Sequence, residues 1–218
     1  RPPLSGGGAP CAGRALLLPH RARDGAGLVP QVGVSFVLVT VGEVGATGLR
    51  LRVGGLSAEE RAARTGHFLT QVGLAEIAER RVGLLSGGQK RRLALALELV
   101  SEPRLLLCDE VTSGLDPKAE SEIVQLLHQI ARTKSCTVIS VTHSLRHLAL
   151  HDTVTVLEQG RLVFQGAPDS LGGDFGISDP EQLFPALTSR SPVDWQARWR
   201  SQGSAQPASP NEQKVDLN

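Results

Sequence analysis

Apolar positions change their spacing several times along the chain, and each change predicts an element. Residues 1–30 mix Gly, Pro, Ala and Arg with little periodicity and read mostly as loop. Residues 34–41 are β-branched and apolar, which predicts a strand. Ser57 and Glu60 have the spacing of a capped helix start. That helix continues over 61–72, with Ala62, Phe68, Leu69 and Val72 on one side. A second short helix is expected over 74–80. After Ser86-Gly87-Gly88-Gln89, residues 90–100 are basic first and apolar later, a helix with one buried face. Residues 104–109 form a short apolar run that suits a buried parallel strand. Asp116 as N-cap and Pro117 in the first turn open a helix that runs to about Arg132. Residues 137–142 predict a second buried strand. Two short runs, 154–157 and 162–164, flank Gln159-Gly160 and predict a hairpin. Beyond Ser178 the chain is rich in Pro, Ser and Gln. Trp195 and Trp199 can anchor one helical turn over 193–200, and 201–218 read as a linker or tail.

Strand, helix, strand with short loops is an α/β pattern built on a parallel sheet. In such sheets ligands bind beyond the carboxyl ends of the strands, where Asp109-Glu110 and His143 fall. Composition narrows the class only a little. With 218 residues the chain holds one or two domains and needs no disulfide or metal to keep a core. Cys11, Cys108 and Cys136 lie far apart without a CxxC pair, which argues against a disulfide framework or zinc ribbon. A net charge of +1 argues against a strongly basic nucleic-acid binder. No apolar run approaches the roughly 20 residues that span a bilayer, and no signal peptide is visible. The absence of Met predicts a fragment or processed product, and no lysine precedes Lys90.

Four short stretches carry candidate chemistry. Leu84-Leu85-Ser86-Gly87-Gly88-Gln89 opens a helix with two glycines and a hydroxyl, an arrangement suited to phosphate. Taken alone, it is equally a plain helix cap. Leu105 to Glu110 ends an apolar strand in two carboxylates, which need a partner, solvent or a metal. Asp109 would hold Mg²⁺, and Glu110 would orient or deprotonate a water. Ser113-Gly114-Leu115-Asp116 is a turn and cap. His143 ends the next strand and can donate to developing charge on a phosphate. His143, His147 and His151 also have the spacing of a helical metal face, although His143 fits the phosphate role better.

In this order and at this spacing, the four stretches resemble the nucleotide-binding domain of ATP-binding cassette (ABC) transporters over about residues 29–170. The resemblance implies a P-loop NTPase-like α/β fold, a mostly parallel sheet flanked by helices, with a helical subdomain carrying LSGGQ. It makes Ser86, Gly87, Gly88 and Gln89 the signature, Asp109 and Glu110 the Walker B carboxylates, Asp116 part of the D-loop and His143 the switch histidine. Val29-Pro30-Gln31 resembles the Q-loop, with Gln31 contacting Mg²⁺ and water, and Thr40-Val41-Gly42-Glu43 resembles the stretch after it. Gly8 to Ala15 has the two glycines of a P-loop, but Arg14 stands where Lys is expected and Ala15 where Ser or Thr would bind Mg²⁺. Gly8, Gly13 and Arg14 are therefore ATP-binding candidates in a degenerate or truncated loop. Only 17 residues separate Arg14 from Gln31, too few for the helix and strands expected there.

The expected organisation is a P-loop region over 1–28, a Q-loop region over 29–56, a helical subdomain over 57–100, a catalytic core over 101–177 and a connector over 178–218. The resemblance implies ATP and Mg²⁺, an ATPase cycle, a second nucleotide-binding domain as dimer partner, a transmembrane domain or subunit, and a place at the cytoplasmic face of a membrane. Residues 172–200 resemble the connector of G-like, ABC-2 type exporters. Two other readings stay open: a hydrolysis-deficient cassette that lends LSGGQ to a partner's ATP site, and a soluble ABC ATPase outside transport.

Overall fold

The computed structural model describes residues 25–29, 38–133 and 136–201. Three parallel strands form the main sheet: β1 (Ala26–Val29), β2 (Leu105–Asp109) and β3 (Thr137–Val141), with β2 in the middle. β2 and β3 are the two apolar runs expected to be strands. β1 lies in the stretch read as loop: four residues give too little pattern alone, and pairing with β2 makes them a strand. Side chains alternate across the sheet. Val29, Leu106 and Cys108 point to a face that is fully buried. Leu28, Leu107 and Ile139, in register across the three strands, point to the other. There Leu28 and Ile139 are 55% and 50% exposed. Beyond β3 lies an open cleft of about 510 Å³, bounded by Val124, Leu127 and His128 on one side and by Thr155 and Gln165 on the other.

Four helices follow: α1 (Val41–Arg52), α2 (Ala58–Gln71), α3 (Gly87–Leu99) and α4 (Pro117–Thr133). Of these, α3 packs on β1 and α4 on β3, while α1 and α2 pack on each other and on α3. The first three share one start signal. Thr40 with Glu43, Ser57 with Glu60, and Ser86 with Gln89 each form a reciprocal capping box. Backbone and hydroxyl donors of Thr40 and Ser57 hold the Glu43 and Glu60 carboxyls below their ordinary range. These caps therefore contribute above the ordinary carboxylate range and are lost as pH falls through the lowered values.

The strand expected over 34–41 is not what the described part of that stretch forms. Thr40 is a helix cap and Val41 the first helical residue; residues 34–37 lie outside the described residues. The capping box outweighs the β-branched composition. Gly45 and Gly48 fit the helix because they are where its neighbours come close. A Cβ added at Gly45 would lie 2.8 Å from Thr65 Cγ2 of α2, and one at Gly48 2.5 Å from Leu97 Cδ2 of α3. The helix expected over 74–80 is instead a single 3₁₀ turn, Ala75–Ile77, and a second one, Val82–Leu84, follows it. The chain bends here to bury both Leu74 and Val82. It also ties to the start of α1, where the Val41 amide donates to Arg80 O at 3.0 Å.

A second core lies under the antiparallel hairpin β4 (Val154–Glu158) and β5 (Arg161–Gly166). Gln159 and Gly160 make its turn with φ of 47° and 75°. Short helices α5 (Leu171–Phe175) and α6 (Leu183–Leu187) and the longer α7 (Pro192–Ser201) close it. Trp195 is buried, packs its ring at a tilt with its centroid 4.8 Å from that of Phe175, and donates its indole N–H to Leu187 O at 3.0 Å. Trp199 packs on the edge of the same cluster.

Three outcomes are expected. Gly45→Val should lower the unfolding free energy in urea by about 1–3 kcal/mol through overpacking. Gly66→Ala, into open space on α2, should leave it unchanged or raise it by up to about 1 kcal/mol. Burial pushes the Cys108 thiol up to about 12. Mass spectrometry should therefore find Cys108 unmodified by iodoacetamide in the native chain and modified after unfolding.

Candidate functional site

The carboxyl ends of β2 and β3 lie side by side, because the strands pair in parallel with Cys108 opposite Ser140 and Asp109 opposite Val141. One strand delivers Asp109 and Glu110, the other Thr142 and His143, to the same end of the sheet. Asp109 alternates with Leu107 and so belongs to the open face, where it is exposed. Glu110 has φ of 45°, a left-handed conformation that costs a non-glycine residue about 1–2 kcal/mol. Its amide donates to Val141 O at 2.9 Å and its carbonyl accepts the Ser113 amide at 3.0 Å. Held so, Glu110 Oε2 lies 3.9 Å from His143 Nδ1. Strained backbone at the mouth of a sheet is a pointer to function.

The turn that follows joins this pair to the start of α3. Gly114 takes φ of 74°. Asp116 caps α4, its Oδ1 accepting the Lys118 and Ala119 amides at 3.1 and 3.0 Å. Leu115 and Ala119 abut the two glycines of α3: an added Cβ would lie 3.2 Å from Leu115 Cδ2 at Gly87 and 3.2 Å from Ala119 Cβ at Gly88. The glycines therefore allow two helix starts to meet, besides leaving their amides bare. Ser86 Oγ accepts the Gln89 amide at 3.2 Å, and Gln89 Oε1 accepts the Ser86 amide at 3.0 Å. The Ser86 hydroxyl keeps its own proton to donate. The Gly87 and Gly88 amides stand at the open start of the helix, ahead of its first internal hydrogen bond, so an anion is favoured there.

Glu110 and His143 are thus brought together. Ser86, Gly87, Gly88 and Gln89 share the start of α3, and Asp116 sits beside them across the Leu115 contact. Gly8, Gly13, Arg14 and Gln31 lie outside the described residues. The histidine metal face is not formed: 143–151 is a loop with one 3₁₀ turn, Leu148–Leu150, and the His151 ring meets His147 O at 3.2 Å. Among the described residues no three His, Cys, Asp or Glu side chains could hold a metal. Two adjacent hard carboxylates, Asp109 and Glu110, suit an ion that takes one or two protein oxygens and fills its shell with phosphate and water, as Mg²⁺ does.

Sequence reasoning did not single out Glu120, Ser144 or Arg146. An open cleft of about 500 Å³ is lined by the 112–115 turn, Glu120, the 143–146 loop, Glu181 and Phe184. Within it the Ser144 hydroxyl donates to the Glu120 carboxylate. Arg146 Nε pairs with Glu181 at 3.2 Å. The one available signal was positional: Ser144 adjoins His143, and Glu120 is one helical turn beyond Asp116.

A family model described as ABC transporter matches residues 11–113. The methionine import ATP-binding protein MetN 2 of Burkholderia pseudomallei is 39% identical over 161 residues, covering 73% of this chain and 41% of that protein. The energy-coupling factor transporter ATP-binding protein EcfA1 of Latilactobacillus sakei is 34% identical over 171 residues, covering 73% of this chain and 60% of that protein. Among solved structures, cbiO1 from Clostridium perfringens, described as part of the ABC transporter complex cbiONQ, superposes with a TM-score of 0.63 at 29% identity. That likeness covers 80% of this chain and 67% of the other. The chain thus spans 41% to 60% of the length of these two curated relatives. The parallel sheet flanked by helices, the motifs at its carboxyl end and these likenesses agree: the chain belongs to the ABC transporter family and carries its nucleotide-binding domain.

Proposed function

We propose that this chain binds ATP with Mg²⁺ and hydrolyses it, as the nucleotide-binding part of a transporter whose membrane-spanning part is a separate domain or subunit at the cytoplasmic face. No helix among the described residues is long and apolar enough to cross a membrane. The observation that carries the reading is the pairing of Glu110 with His143 at 3.9 Å on adjacent parallel strand ends. The start of α3 abuts the segment that follows Glu110, through Leu115 and Ala119. One chain thus offers two unlike half-sites, which suits a second cassette that supplies the complementary halves.

Each residue has a task that follows from its surroundings. Glu110 accepts a proton from, or orients, the attacking water, a role worth about 10² to 10⁴ in rate. His143 donates a hydrogen bond to the phosphate oxygens as charge builds on them. Ser86 and the first amides of α3 bind the phosphates of the nucleotide held by the partner. Asp109 would hold Mg²⁺, which neutralises charge on the phosphates, and Gln31 would contact the ion and the water. Arg14, with Gly8 and Gly13, would meet the phosphates in place of a lysine.

Arg14 and Ala15 favour a second reading, in which the chain lends its α3 start to a competent partner and does not turn over ATP itself. Two variants separate the readings. If the chain hydrolyses ATP, Glu110→Gln should lower its turnover about 10² to 10⁴-fold while labelled Mg-ATP still binds. If it is a helper, Glu110→Gln should leave turnover of the assembled pair nearly intact, and Ser86→Arg should abolish it. Failure of the chain to bind labelled Mg-ATP at micromolar protein, alone and with a partner cassette, would overturn both.

A further inference from the structure

His143 is an exposed side chain, 65% accessible, and its contact with Glu110 is long at 3.9 Å. Its position therefore depends on the backbone that carries it as well as on that contact. That backbone is held on both sides. Before it, Thr142 continues from β3 and its hydroxyl accepts the Ser144 amide at 3.0 Å. After it, Leu145 is buried in the second core. Between these anchors, the Ser144 hydroxyl donates to the carboxylate of Glu120. Both groups are partly buried, so this charged hydrogen bond is less screened than a surface pair.

Glu120 stands in the first turn of α4. Asp116, the cap of that helix, accepts the Lys118 and Ala119 amides, and the Glu120 amide donates to Asp116 O at 2.9 Å. Ala119 in turn abuts Gly88 of α3. A continuous set of contacts therefore runs from the start of α3 through the first turn of α4 to the residue next to His143. Arg146 and Glu181 add a tie to the C-terminal segment, but both side chains are more than half exposed and such pairs contribute little.

We infer that Glu120 is a positioning residue for His143, and that it transmits the state of the 113–116 turn and the α3 start to the His143 loop through Ser144. The inference rests on the hydrolytic role of His143 given above, but its structural half does not need nucleotide. A rigid helix start linked to a loop by one charged hydrogen bond is a simple two-part coupler. If α4 shifts, Ser144 follows or the bond breaks, and either moves His143.

Amide hydrogen exchange of the full chain, read over peptides containing 142–146, tests the link directly. Glu120→Ala and Ser144→Ala should each speed exchange there about tenfold. Glu120→Gln, which keeps an acceptor oxygen, should restore most of the protection. Asp116→Ala should also speed exchange at 142–146, but add little in the Glu120→Ala background, since two changes along one path are not additive. Equal exchange in wild type, Glu120→Ala and Ser144→Ala overturns the inference. So does an Asp116→Ala effect that is unchanged in the Glu120→Ala background. In turnover of Mg-ATP, Glu120→Ala should lower kcat about tenfold or more with KM little changed, and Glu120→Gln should recover it. An unchanged kcat in Glu120→Ala also overturns it. If wild type shows no turnover, the hydrolytic reading fails, and the exchange cycle still decides the part played by Glu120.

Discussion

Everything at the functional end depends on the parallel pairing of β2 with β3. Because Asp109 stands opposite Val141, both strands run out at the same level. Glu110 then needs only one residue of left-handed backbone to come within 3.9 Å of His143. A slip of one residue in this register would turn Leu106 and Cys108 to the open face and separate the carboxylate from the imidazole. The buried face guards against that slip. Leu106, at the centre of the sheet, is fully buried, and Ile123 of α4 belongs to the same core. The packing energy of the core thus maintains the geometry of the exposed pair.

The helical part serves the same end by bringing two helix starts together. The glycines of α3 take up little volume, so Leu115 and Ala119 can approach its first turn. This contact seats the start of α3 against the segment that follows Glu110. Arg92 reinforces the contact deeper in, donating to Val72 O at 2.9 Å and to the Glu122 carboxylate at 2.7 Å. Elsewhere the helices meet through glycine as well, at Gly45 and Gly48 of α1. The high glycine content of this chain, 24 residues, thus partly reflects close helix packing and not only loops.

The sheet is unequally covered among the described residues. Its Val29, Leu106 and Cys108 face is sealed, whereas Leu28 and Ile139 are at least half exposed and an open cleft adjoins β3. Parallel strands are ordinarily buried on both faces. Asp109, the carboxylate expected to meet a cation, lies on this open face and is more exposed than Glu110.

Much of this was legible from the sequence because it is local. Capping boxes at Ser57 and Ser86, the cap at Asp116 before Pro117, the apolar runs of β2 and β3 and the Gln159-Gly160 hairpin each depend on residues a few positions apart. The order of Ser86-Gly87-Gly88, Asp109-Glu110, Asp116 and His143 was enough to identify the family. Other features depend on distant partners, and only tertiary structure decided them. β1 is a strand because β2 lies beside it. The stretch at Val41 carries a local cap at Thr40, but its glycines fit a helix because they meet α2 and α3. Residues 74–84 bend into 3₁₀ turns because two apolar residues must reach the core. The bond between Glu120 and Ser144 joins residues 24 apart. No periodicity encodes such a contact, since it exists only when a helix start and a strand end are folded against one another.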